Sequence, residues 1–167
     1  MTRTRWFAAA FAATMLSLVL FVRYRTTPSL PAGIYLRNPF VRAPLPGDIV
    51  EFCLPSAPTR WALQRGYLHP GSLLTACPDG NEPLGKRVAA LPGQFLESGP
   101  LGHRLDPVGP WQDPPLRADN KGRPLSPFLH RGRLSGYWLV GEGPGSWDSR
   151  YWGPVPAANL RARLRHL

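Results

Sequence analysis

Proline and glycine punctuate this chain so densely beyond Thr26 that no long helix fits there: 21 prolines and 17 glycines fall in 167 residues. Proline removes a backbone donor and clashes with the preceding helical turn, and glycine weakens helix interiors. Short apolar runs lie dispersed between these breaks. The pattern predicts a turn-rich, mainly β domain, and an apolar share of 43%, with six tryptophans, is enough for a folded core.

The first residues read differently. Trp6 to Val22, WFAAAFAATMLSLVLFV, carries no charge, and only Thr14 and Ser17 are polar. That is the short end of the range for a membrane-spanning helix. Arg3 and Arg5 precede it and Arg23 and Arg25 follow, so flanking charge does not settle orientation. A cleaved signal peptide is the competing reading. The run is longer than most signal-peptide cores and leads into Arg-Tyr-Arg instead of a small-residue cleavage site. The expected organisation is a cytoplasmic tip and single-pass anchor over residues 1–25 and a β-rich domain over residues 26–167.

Formal charge is +10, which draws a surface to nucleic acid or anionic lipid. No zinc-finger spacing, RNP aromatics or basic heptads accompany it, so no nucleic-acid partner is expected. The arginines, including Arg161, Arg163 and Arg165, read as the solvated face of a protein beside a membrane, with membrane lipid as a partner. Cys53 and Cys77 are the only cysteines. They can close a disulfide if the domain lies outside the cytosol, and two thiols without paired histidines make a weak metal site. No metal or other cofactor is expected.

Predicted strands fall at Gly33–Leu36, Asp48–Leu54, Gly85–Leu91 and Gly136–Gly141. Ser56–Gln64 reads as a short helix or a loop, and Leu160–Leu164 as a strand or a short helix. Phe95–Leu105 and Gly109–Leu116 read as an inserted loop region.

Four histidines, His69, His103, His130 and His166, all lie in proline-, glycine- or arginine-rich surroundings, and no nucleophile elbow occurs, so a Ser-His-Asp triad is not expected. The alternative base is a lysine, and the chain has two. Lys121 sits in the turn Asp119–Gly122 and is expected to be solvated. Lys86 opens the apolar run Arg87–Leu91, where lost solvation would lower its pKa and let it serve as a neutral base for a serine nucleophile. An ordinary strand-edge lysine is the competing reading.

Four segments in order resemble bacterial type I signal peptidases, and most closely the TraF-type peptidases of conjugative transfer systems: TPSLPAGIY, PLPGDIVEF, LGKRVAALPG and SWDSRYWGPV. They span Thr27 to Val155 behind the apolar run. Gln94 stands where that family usually has an acid, and the lead GEGPG lacks the asparagine and arginine of many general signal peptidases. The resemblance implies a Ser-Lys dyad with Ser29 as nucleophile and Lys86 as general base. It implies oxyanion stabilisation by the Ser29 N–H and the Thr27 hydroxyl, a lysine-orienting Ser146, and an Asp148–Arg150 ion pair in support. It further implies a β-rich catalytic domain on the periplasmic side of the bacterial inner membrane, acting on a pilin-like precursor with small residues before the cut.

The distance from the apolar run fits. Arg23 to Pro28 reaches at most ~20 Å when extended, which keeps Ser29 near the bilayer. Pro28 and Pro31 stiffen the stretch around it. A general signal peptidase with a broad precursor range remains an alternative, as does a catalytically silent, membrane-anchored binding module. A self-cleaving repressor would need a DNA-binding segment where the apolar run stands.

Overall fold

The computed structural model describes residues 6–7, 9–11, 13–14, 21–25, 27, 29–40 and 43–167. The predicted anchor therefore lies largely outside the described residues. Those of its residues that are described, up to Phe21, are helical and exposed, and among the described residues no helix is long and apolar enough to cross a membrane.

The fold is mainly β, built as two antiparallel sheets with few helices. The larger sheet holds β1 (Val22–Arg25), β2 (Gly33–Asn38), β3 (Ile49–Phe52), β4 (Leu84–Ala90), β8 (Trp138–Val140) and β9 (Leu160–His166), in the order β1-β2-β9-β3-β4-β8. The smaller sheet holds β5 (Phe95–Gly99), β6 (Gly102–Arg104) and β7 (His130–Arg133), in the order β6-β5-β7. Among the described residues after β1, two short helices, α1 (Ser56–Arg65) and α2 (Ser149–Trp152), and a 3-10 turn stand beside the sheets.

Strand alternation decides what each element buries. In β4 the residues Lys86, Val88 and Ala90 share one face and all are buried. A single lysine is thereby carried inward by the period of two that places its apolar neighbours. In β9, Ala162 and Leu164 are buried while Arg161, Arg163 and Arg165 are exposed. That alternation settles the terminal segment as a strand, and the arginine cluster is its solvent row. β3 is buried on both faces. Its acid, Glu51, is held by Arg37 at 2.5 Å and Arg23 at 3.5 Å, as a carboxylate removed from water requires.

α1 ends where Gly66 takes a left-handed conformation, φ 69°, and the Gly66 and Tyr67 amides return to the Leu63 and Ala62 carbonyls. The middle of the chain differs from the expected loop. Phe95–Gly99 and Gly102–Arg104 form a hairpin, with Glu97 paired to Arg104 at 2.7 Å, and β7 closes the sheet. The reason is non-local: β5 buries Leu96 against Ala90, Leu134 and Trp138, all contributed by other segments. Residues 105–129 carry no named strand.

Cys53 and Cys77 form a disulfide, with Cα atoms 5.6 Å apart, which ties the end of β3 to the loop before β4. Cross-linking a loop of this length is worth about 3 kcal/mol. Cys53→Ser, or reduction of the wild type, is therefore expected to lower Tm by roughly 6–12 °C in thermal unfolding; an unchanged Tm would show that the bond carries no stability.

Candidate active site

β1 and β2 pair antiparallel, with Arg25 opposite Gly33, so Ser29 sits in the connection of a hairpin. Val22–Arg25, which the sequence places at the end of the anchor, is thus the edge strand of the larger sheet. Among the described residues of the connection, three contacts fix its course. Leu30 is buried in a small core with Tyr35, Ile49 and Leu164. The Tyr35 hydroxyl donates to the Pro31 carbonyl at 2.7 Å, and the Glu142 amide donates to the Ser29 carbonyl at 3.0 Å. Pro28 lies outside the described residues.

Lys86 reaches this connection from β4. Its Nζ lies 2.5 Å from Ser29 Oγ and 2.6 Å from Ser146 Oγ, and the two hydroxyls are 3.3 Å apart. Lys86 is only 3% exposed. Burial pushes its ammonium down to about 8; the Asp148 carboxylate opposes that shift and the Arg150 guanidinium adds to it. An amine of that pKa is neutral in a useful fraction of molecules near neutral pH. It then accepts a proton from one hydroxyl while donating to the other.

Ser146 is placed by the segment that follows it. Asp148 caps α2 by accepting the Arg150 amide at 3.1 Å, and its other oxygen accepts the Gly141 amide at 3.0 Å. Arg150 grips both carboxylate oxygens, at 2.8 and 2.6 Å, and its Nη2 donates to the Ser146 carbonyl at 3.3 Å. Ser149 Oγ accepts the Leu139 amide at 2.9 Å. Residues 146–150 are therefore clamped onto β8, and Asp148 and Arg150 are almost wholly buried.

Gly141, at the end of β8, carries no signal in the sequence beyond marking a strand boundary. In the structure a Cβ there would stand 2.0 Å from Ser146 Oγ and 3.1 Å from Ser29 Cα. The two serines approach each other because that atom is missing.

Ser29, Lys86 and Thr27 line one groove of about 610 Å³. Its other walls, among them Tyr67, His69, Glu82, Asp119 and Tyr151, were not singled out as site residues from the sequence, and no local pattern marks them. His69 lies in the groove, but the hydrogen-bond partners of the Ser29 hydroxyl are Lys86 and Ser146. Lys121 is exposed. Among the described residues no group of three or more His, Cys, Asp or Glu side chains is placed to hold a metal ion.

The sequence profile of the family described as Signal peptidase, peptidase S26, matches residues 3–167. The chain is 39% identical over 142 residues to the Probable conjugal transfer protein TraF of Sinorhizobium fredii, covering 83% of this chain and 72% of that protein. It is 36% identical over 157 residues to the Conjugal transfer protein TraF of Agrobacterium fabrum, covering 92% and 85%. The Plasmid transfer protein TraF of Escherichia coli is 28% identical over 149 residues, covering 86% and 80%. No solved structure matches with significance.

Proposed function

Because the chain belongs to the signal peptidase family S26, we propose that it is a membrane-anchored serine endopeptidase that removes the leader segment of an exported precursor, foremost a conjugative pilin precursor. The observation that carries this reading is the buried Lys86 amine 2.5 Å from Ser29 Oγ. A silent binding module would have no reason to bury a lysine against a serine. The names of the relatives favour a conjugative substrate over the broad range of a general signal peptidase.

In this reading neutral Lys86 takes the Ser29 proton as Oγ attacks the scissile carbonyl. The Ser29 N–H and the Thr27 hydroxyl stabilise the oxyanion. The tetrahedral intermediate collapses as Lys86 returns the proton to the leaving amine, and water then releases the acyl group by the same base. Ser146 holds the amine in line, and Asp148 and Arg150 hold Ser146. The anchor spans the inner membrane ahead of β1, the domain from β1 onward faces the periplasm, and membrane lipid and the precursor are its partners. The Cys53–Cys77 disulfide suits that compartment.

The test is cleavage of a co-expressed pilin-type precursor by wild type, Ser29→Ala and Lys86→Ala, with membrane levels matched. Cleavage by wild type alone supports the peptidase; equal cleavage by the variants overturns it. Gly141→Ala is expected to slow cleavage on the order of 10²-fold, since the added carbon displaces Ser146 and a misplacement near 1 Å has that cost. Wild-type rates in that variant would show that the close approach has no bearing on the chemistry.

A further inference from the structure

Beside the groove lies a second cavity of about 440 Å³ that the mechanism leaves unused. Trp61 and Pro58 of α1 line it together with Leu125, Trp147 and Trp152. The Trp61 and Trp147 rings stack with centroids 5.3 Å apart, and Trp152 meets Trp147 edge-on at 4.6 Å. The frame is braced. Arg65 donates to the Pro124 carbonyl at 2.9 Å and stands over the Trp61 ring, 4.0 Å from its centroid. Arg123 donates to the Arg65 carbonyl at 2.9 Å and to Asp119 at 2.7 Å. Both guanidinium groups are thus engaged, and three tryptophans give the lining an aromatic, partly polar character.

This cavity and the groove adjoin each other. Leu125, Trp147 and Tyr151 line both, and Trp147 directly follows Ser146, whose hydroxyl holds Lys86. A polypeptide lying in the groove against Ser29 comes near these shared residues. We infer that the cavity is a subsite for one bulky apolar side chain, aromatic or long aliphatic, of the polypeptide substrate, at a position outside the small residues next to the cut. The inference rests on the peptidase reading and adds a second determinant of specificity. Because helix and loop are already tied together, binding there costs little ordering, and the volume is within the range of side-chain and small-ligand pockets.

The test uses full-length protein in detergent micelles. The probes are synthetic peptides with alanine at the first and third positions before the cut and a single phenylalanine walked along the remaining positions. Ser126→Trp plugs the cavity from its exposed lip, and Trp61→Ala removes its stacked wall; neither residue lines the groove. One phenylalanine register is expected to raise kcat/KM of the wild type roughly 10- to 100-fold, the weight of burying one such side chain. Both variants should lose that gain and cut the phenylalanine-free peptide at the wild-type rate. Binding of the same peptides to Ser29→Ala, followed by tryptophan fluorescence, should show the same register and the same loss. If all peptides are cut without a preferred register, or the preference survives in both variants, the subsite is wrong and the peptidase reading stands. If no peptide is cut but the register preference in binding is present and lost in the variants, the peptidase reading is wrong and the subsite stands. If the fluorescence responds to phospholipid vesicles and to no peptide, the occupant is an acyl chain and the inference falls.

Discussion

Lys86→Met is expected to abolish cleavage and to make the protein more stable. Loss of either member of a nucleophile–base pair costs on the order of 10⁴- to 10⁶-fold in kcat, and methionine offers no proton acceptor. Stability moves the other way because a buried ammonium is costly. Burial holds the folded-state pKa of Lys86 at about 8, against 10.5 for a free lysine. The folded state therefore binds fewer protons than the unfolded state between those values, and stability rises with pH across that window. Below about pH 8 both states are protonated and the folded protein bears the full cost, about 3 kcal/mol. The unfolding midpoint of Lys86→Met should exceed that of wild type at pH 7, and the difference should shrink as pH approaches 10.5. The wild-type rate should rise with pH to about 8 and then level. Lys86→Arg should be inactive at every pH, because guanidinium does not give up its proton in this range. A wild-type rate independent of pH between 6 and about 9, or a Lys86→Met protein less stable than wild type at pH 7, would remove the basis for a neutral-lysine mechanism.

Arg150→Met is the second large effect. Asp148 is 0% exposed and shares two hydrogen bonds with this guanidinium. Removing one partner of a buried pair leaves an uncompensated charge and costs about 3–5 kcal/mol. Replacing both partners with apolar residues should cost less than either single change, since no buried charge then remains. The same pair reaches the amine electrostatically. Arg150 lowers the Lys86 pKa and Asp148 raises it. The pH–rate midpoint should accordingly move to higher pH in Arg150→Met and to lower pH in Asp148→Asn. Denaturant unfolding and the pH profile of residual cleavage are the measurements. Midpoints that stay fixed in both variants would restrict the pair to holding the backbone of residues 146–150.

Much of the candidate site was legible because its chemistry is carried by rare residues in short local patterns. Two lysines in the whole chain left little choice, and only Lys86 opens an apolar strand. The serine between Pro28 and Pro31 stood out by its stiff surroundings, whereas the run from Ser146 to Arg150 was marked only by its resemblance to the signal peptidase segment. Gly141 and Trp61 were not legible, because a glycine at a strand end and a tryptophan in a weak helix look the same whatever they face. The smaller sheet was missed for a related reason: β5 has one deeply buried apolar side chain, Leu96, and its stability comes from Trp138 and Leu134, distant in sequence.

The sequence by itself determined that the chain is turn-rich and β-forming, which residue types were available for catalysis, and that a period of two runs through Lys86, Val88 and Ala90. These are local properties, set by backbone sterics and by the alternation of side chains along a strand. Only the tertiary structure decided that Ser29, Lys86 and Ser146 meet, because their approach depends on sheet pairing across long separations and on the space left at Gly141. It also decided that Lys86 is dry. Desolvation depends on everything packed around the amine, and no local pattern of residues encodes it.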